Sequence, residues 1–100
     1  WSNDLFHPVH GDSQNVYHLF PVLCTKRDEL QAYLKENGVE TLIHYPIPPH
    51  KQECYASAPW NIGLQLPVTE QIAAQELSLP IGPAIKPEDV QYIIETINRF

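Results

Sequence analysis

The chain has 100 residues, 43% of them apolar and 18% charged, a balance that fits one globular domain and excludes a disordered chain. Its net charge is −6 and its six Lys and Arg are scattered, so it lacks the basic footprint that nucleic-acid phosphates and anionic lipids select. No apolar run approaches the roughly 20 residues of a membrane-spanning helix and no charged-then-apolar leader opens the chain, so neither nucleic acid nor membrane is expected as a partner.

Two cysteines, Cys24 and Cys54, allow one disulfide at most. That density is far below that of disulfide-stapled secreted scaffolds and points to reduced thiols in a cytoplasmic protein. Methionine is missing altogether, so the chain is expected to have been cut or processed from a longer polypeptide.

Residues 1–15 mix Asn, Asp, Ser, Gly and Pro with two His and show no apolar period; they read as a connecting segment or N-terminal arm, with structure beginning after it. From Val16 to Leu23 the Val, Tyr, Leu and Phe residues predict a strand covered on both faces. Pro21 cannot donate to a ladder, so at that point the strand is expected to lie at an edge or be interrupted. Thr25 and Asp28 have the spacing of a reciprocal helix cap, and Leu30, Tyr33 and Leu34 form one apolar stripe that Gly38 terminates. The predicted helix spans about 26–37.

Thr41-Leu42-Ile43-His44-Tyr45 reads as a second strand. It runs into Pro46-Ile47-Pro48-Pro49, where three prolines in four positions forbid helix and central strand alike. A stiff extended loop is expected, followed by a weak helical turn over His50 to Ala58 and a surface excursion from Pro59 to Pro67 that carries Trp60. Thr69 is placed to cap a short helix, Glu70 to about Glu76, ahead of a third strand from Leu77 to Ile81. Gly82-Pro83 turns the chain. Pro87 occupies a first helical position, Glu88 and Asp89 complement the positive end of the dipole, and Val90, Ile93, Ile94 and Ile97 form the strongest helical stripe in the sequence. Ile94→Asp is the single substitution expected to unfold the domain. The fold class is α/β (α+β), a two-layer sandwich of about three strands with the helices packed on one face.

The densest polar cluster is His44-Tyr45-Pro46-Ile47-Pro48-Pro49-His50-Lys51-Gln52. Its prolines restrict the backbone in advance, so side chains are presented at low entropic cost. Composition leaves two readings open: a ligand-facing loop, or an ordinary Pro-rich strand exit with Tyr45 on the core and both His on the surface. A zinc site built from His44, His50 and Cys54 with Cys24 is disfavoured, because extended prolines hold the two His apart and the spacing fits no paired-ligand pattern. No metal is expected. Neither Cys lies in an activating context, no Ser sits in a G-x-S-x-G turn, and Gly11, Gly38, Gly63 and Gly82 are too isolated to make a phosphate loop.

Thr41-Leu42-Ile43-His44-Tyr45-Pro46-Ile47-Pro48-Pro49-His50-Lys51-Gln52 resembles the C-terminal region of the DegT/DnrJ/EryC1/StrS sugar aminotransferases. Further segments agree in order: Val16 to Phe20, Arg27-Asp28-Glu29-Leu30 with Tyr33-Leu34 and Asn37-Gly38-Val39, Leu66 to Glu70, Leu77 to Pro80, and the closing helix to Ile97-Asn98. The resemblance covers about Val16 to Phe100. It implies the small C-terminal domain, residues 16–100, of a pyridoxal-phosphate (PLP) enzyme of the aspartate-aminotransferase fold type. The parent would move an amino group from glutamate to a nucleotide-linked keto-deoxyhexose, such as a thymidine-diphosphate-linked 3-keto-6-deoxyhexose, and would act as a homodimer.

The same resemblance implies that His44, Tyr45 and His50 lie near the active-site mouth as substrate-binding residues. It assigns no catalytic or cofactor-binding residue here, because Lys26, Lys35, Lys51 and Lys86 all lie outside the family's Schiff-base context. The fragment alone is therefore expected to be inactive and to hold no cofactor. The competing reading is a freestanding ligand-sensing or regulatory α/β module. The discriminating observation is a visible Schiff-base absorbance when PLP is added to the 100 residues; none is expected. A third reading, an interaction module built on Trp60 and the apolar surface beside it, rests on that segment alone.

Overall fold

The computed structural model describes residues 6–8 and 14–100. Three short strands, β1 (Phe6–Pro8), β2 (Phe20–Cys24) and β3 (Glu76–Leu79), form an antiparallel sheet in the order β1-β2-β3. The helices are α1 (Arg27–Glu36), α2 (Pro67–Gln75) and α3 (Pro87–Asn98), and three single 3₁₀ turns, Pro49–Lys51, Glu53–Tyr55 and Pro59–Asn61, lie between α1 and α2.

The expected two-layer α/β sandwich is present, but its strands differ from the sequence reading. Phe6–Pro8, placed in the connecting segment, pairs with β2 through Phe6↔Cys24, His7↔Leu23 and Pro8↔Val22. The rest of the segment, 1–5 and 9–13, lies outside the described residues. The strand predicted from Val16 starts only at Phe20, because Tyr17 adopts the left-handed conformation (φ 46°). Its N–H turns back to Asn15 Oδ1 at 2.9 Å, a local bond that replaces a ladder bond.

Pro21 sits in the central strand at a point where β3 requires no donor from it. Its partner on β3 is Ser78, whose N–H and C=O are both spent on Leu42 on the far side. Pro21 and Ser78 therefore form a non-hydrogen-bonded pair, and the nitrogen of Pro21 faces the β1 side. Among the described residues β1 pairs as far as Pro8↔Val22.

The predicted strand Thr41 to Tyr45 shrinks to one bridge, Leu42↔Ser78. The next amide in that register, that of His44, donates to the Glu76 side chain at 2.6 Å instead of continuing the ladder. The carbonyl of Glu76 accepts from Arg27.

Helix α1 ends as expected. Gly38 (φ 76°) supplies the left-handed residue, its N–H reaches Lys35 O at 3.0 Å, and that of Val39 reaches Leu34 O at 2.8 Å. Its start does not carry the predicted reciprocal cap: no side chain caps Lys26, and Asp28 pairs with Arg27 Nε at 2.5 Å. Helix α2 begins at Pro67, three residues before the predicted start, with Glu70 accepting the Leu66 N–H at 3.2 Å. It passes into β3 without a loop, so Glu76 opens the strand rather than closing the helix. Helix α3 has Pro87 in its first position, and Asp89 accepts the Lys86 N–H at 3.2 Å.

The core unites Val22, Cys24, Leu77 and Leu79 from one face of the sheet with Leu30 and Leu34 of α1, Val39, and Ile93 and Ile97 of α3. Each of the fully buried Leu and Ile residues contributes roughly 1.5–3 kcal/mol. Helix α2 adds no buried side chain, so the second layer is α1 and α3. Within the α3 stripe, Ile97 is fully buried whereas Ile94 is only half-buried. The expectation that Ile94 anchors the domain is therefore corrected to Ile97. Burial also pushes the Cys24 thiol above its ordinary pKa; both Cys24 and the exposed Cys54 are free.

Candidate functional site

The Leu42 bridge fixes where the chain leaves the sheet, and His44 and Tyr45 follow directly, ahead of the prolines. Glu76 and Ser78 are two apart on β3 and so share the face opposite Leu77 and Leu79. His44 lies on that face: its Nδ1 is 2.9 Å from Ser78 Oγ, and the Ser78 hydroxyl donates to Glu76 Oε1 at 2.6 Å. Tyr45 stands edge-on to the His44 ring, with centroids 5.4 Å apart, and is 71% exposed. The expectation that Tyr45 covers core is thereby removed.

His44, Ser78 and Thr41 line an open cleft of about 700 Å³, together with Asp28 and Lys35 of α1 and His18. The cleft has both charges and hydroxyls on its walls, and Thr41 Oγ1 is buried without a hydrogen-bond partner among the described residues.

His50 is separated from this pair. It is 6% exposed, and its Nε2 faces Glu70 Oε1 of α2 at 3.1 Å. Lys51 Nζ reaches the other oxygen, Glu70 Oε2, at 2.5 Å. Asn61 closes the same segment by donating to the carbonyls of His50 at 2.7 Å and Tyr55 at 2.9 Å. One carboxylate thus ties the chain after the prolines to the head of α2. Of this set the sequence marked His50 and Lys51 but not Glu70 or Asn61, and it left Glu76 and Ser78 unmarked, although their two-residue spacing was a usable sign.

Lys51 first, then His50 and the Leu66 amide, hold the Glu70 carboxyl down at about 2, against the ordinary 4.5. A carboxyl lowered in the folded state contributes stability that is present above its unfolded value and lost as pH falls through the folded one. Acid titration of unfolding midpoints is expected to show the wild type losing stability from about pH 4.5 down to about pH 2. Glu70→Gln should flatten that part of the curve; parallel curves for the two proteins would show that the ion pairs do not hold in solution.

The four residues His44, His50, Cys24 and Cys54 are engaged separately: His44 on Ser78, His50 on Glu70, Cys24 in the core and Cys54 on the surface.

The sequence profile of the DegT/DnrJ/EryC1/StrS aminotransferase family matches residues 2–98. The chain belongs to this family. A curated member, the dTDP-3-amino-3,6-dideoxy-alpha-D-galactopyranose transaminase of Aneurinibacillus thermoaerophilus, is 44% identical over 92 residues, covering 92% of this chain and 24% of the relative. The fold matches that of S. venezuelae DesV, solved in complex with a ketimine intermediate. The TM-score is 0.83 at 37% identity, over 94% of this chain and 26% of that one. NtdA from Bacillus subtilis, solved with bound cofactor PMP, gives a TM-score of 0.80 at 30% identity, over 96% of this chain and 23% of that one. The chain thus spans about a quarter of the length of the relatives it matches.

A PLP cofactor needs an amine sheltered from water for its imine. All four lysines of this chain are exposed, and Lys26 and Lys51 are in ion pairs with Glu29 and Glu70 at 3.5 and 2.5 Å. These residues do not fit the cofactor, and no step through it is assigned to them.

Proposed function

We propose that this chain is the small C-terminal domain of a PLP-dependent aminotransferase that transfers an amino group from glutamate to a nucleotide-linked keto-deoxyhexose, closing over the substrate while the cofactor lysine lies in polypeptide outside the chain. The observation that carries the reading is a match over 92% of the chain to about a quarter of a dTDP-aminosugar transaminase. Residues 16–100 form the domain in this reading, and 1–15 connect it to the rest, with Phe6–Pro8 anchored on β2. The parent is a homodimer, and the exposed, mutually tilted Tyr55–Trp60 pair, with ring centroids 5.3 Å apart, suits a contact with the rest of the enzyme. Two free thiols fit the reducing cytoplasm.

His44 contacts the sugar nucleotide from the cleft, and Tyr45 from the exposed chain beside it. His50 joins them as a brace, since its burial and its bond to Glu70 suit holding the loop better than touching a ligand. In the full-length enzyme, His44→Ala and Tyr45→Phe should each lower kcat/KM about tenfold, the worth of one hydrogen bond of roughly 1–1.5 kcal/mol. Unchanged kcat and KM in both variants would remove the loop from the active site.

A further inference from the structure

The hydrogen bonds around His44 decide which ring nitrogen carries its proton. Oε2 of Glu76 accepts the His44 backbone N–H at 2.6 Å, and Oε1 accepts the Ser78 hydroxyl at 2.6 Å. A hydroxyl has one proton, and Ser78 has given its own to Glu76. Toward the ring, 2.9 Å away, the Ser78 oxygen can therefore only accept, and Nδ1 must donate. In the neutral imidazole this leaves Nε2 as a bare acceptor. Glu76 and Ser78 are 4% and 5% exposed, so water does not compete for either bond. Nε2 has no hydrogen-bond partner among the described residues, and His44 lines the cleft.

We propose that Glu76 and Ser78 are positioning residues that fix His44 in the Nδ1–H form, so that the ring meets a ligand in the cleft as a hydrogen-bond acceptor. The group it receives is an uncharged donor such as a sugar hydroxyl. A carbonyl or ether oxygen in the same place would face the ring lone pair and be disfavoured. The inference rests on the proposed substrate role of His44 only for the identity of that ligand.

The test is a long-range ¹H–¹⁵N spectrum of the folded, ¹⁵N-labelled chain, which separates N–H from bare ring nitrogens. The wild-type His44 ring should show Nδ1 protonated and Nε2 bare, the opposite of the form that predominates in free imidazole side chains. Glu76→Gln should invert it. The amide oxygen must stay on the His44 N–H, so the amide nitrogen donates to Ser78, whose proton then turns to Nδ1 and moves the ring hydrogen to Nε2. Ser78→Ala should shift the ring toward the Nε2–H form, and Ser78→Thr, which keeps the hydroxyl, should retain the wild-type pattern. An Nε2–H ring in the wild type, or a ring that Glu76→Gln leaves unchanged, overturns the proposal.

A kinetic arm separates this from the substrate reading. In the full-length enzyme, Glu76→Gln should lower kcat/KM for the keto-sugar about tenfold. Inversion of the ring with unchanged kinetics would uphold the hydrogen-bond chain and remove His44 from the substrate site.

Discussion

Ile97→Asp is expected to abolish the folded state of the chain. Ile97 is 0% exposed and lies in the cluster where α3 meets α1 and the sheet. The substitution forfeits roughly 1.5–3 kcal/mol of apolar burial and strands a carboxylate in a site without a partner, at a further cost of several kcal/mol. The sum approaches the entire stability of a domain this size, about 5–15 kcal/mol. Ile94→Asp, one residue earlier in the stripe, should cost only about 1–3 kcal/mol, because a half-buried carboxylate can turn to water. Urea unfolding followed by far-ultraviolet circular dichroism separates the two: a cooperative transition for Ile94→Asp and none for Ile97→Asp. A wild-type midpoint for Ile97→Asp would mean that α3 is not packed as described.

Arg27→Ala should be the most damaging change of a charged residue. The Arg27 side chain is 11% exposed, and its Nη1 donates to the carbonyls of Ala73 at 3.2 Å and Glu76 at 3.1 Å. These groups lie at the α2–β3 junction, where α2 runs into the strand with no loop in which its last carbonyls would meet water. Removing the guanidinium leaves them without this donor, at a cost of about 2–4 kcal/mol for two charge-assisted bonds that are not additive. The exposed Arg27–Asp28 pair adds under about 1 kcal/mol. Arg27→Lys should recover less than half of the loss, because the lysine nitrogen sits one bond nearer the backbone than Nη1, from which both carbonyls are reached. Urea midpoints and slopes provide the measurement. An Arg27→Ala protein within about 0.5 kcal/mol of wild type would show that the junction finds other donors.

The helices were legible because their signals are local. The Leu30, Tyr33, Leu34 stripe, Gly38 after it, and Pro87 ahead of the Ile93 and Ile97 stripe each act within a turn or two of backbone. Strand pairing carries no such signal. Phe6–Pro8 has no apolar period of its own and becomes a strand only because β2 presents a free edge to it. Thr41 to Tyr45 has strand-forming residues, yet Glu76, 32 residues away, takes the His44 amide.

The candidate site divides in the same way. Residue types and three prolines marked His44 to Gln52 as a rigid, chemistry-bearing loop, and the family was legible there because the motif is contiguous. The separation of His50 from His44, and the assembly of Glu76 and Ser78 around one imidazole, come from contacts between residues 20 to 34 positions apart. The amino-acid order by itself determined the helices, the turn at Gly38, the sandwich class and the location of the polar loop, all of which depend on neighbours in the chain. Tertiary structure alone decided which strands pair, which isoleucine is sealed in the core and which hydrogen bonds set the His44 ring. Those outcomes depend on burial and on donors and acceptors that meet only after the chain has closed on itself.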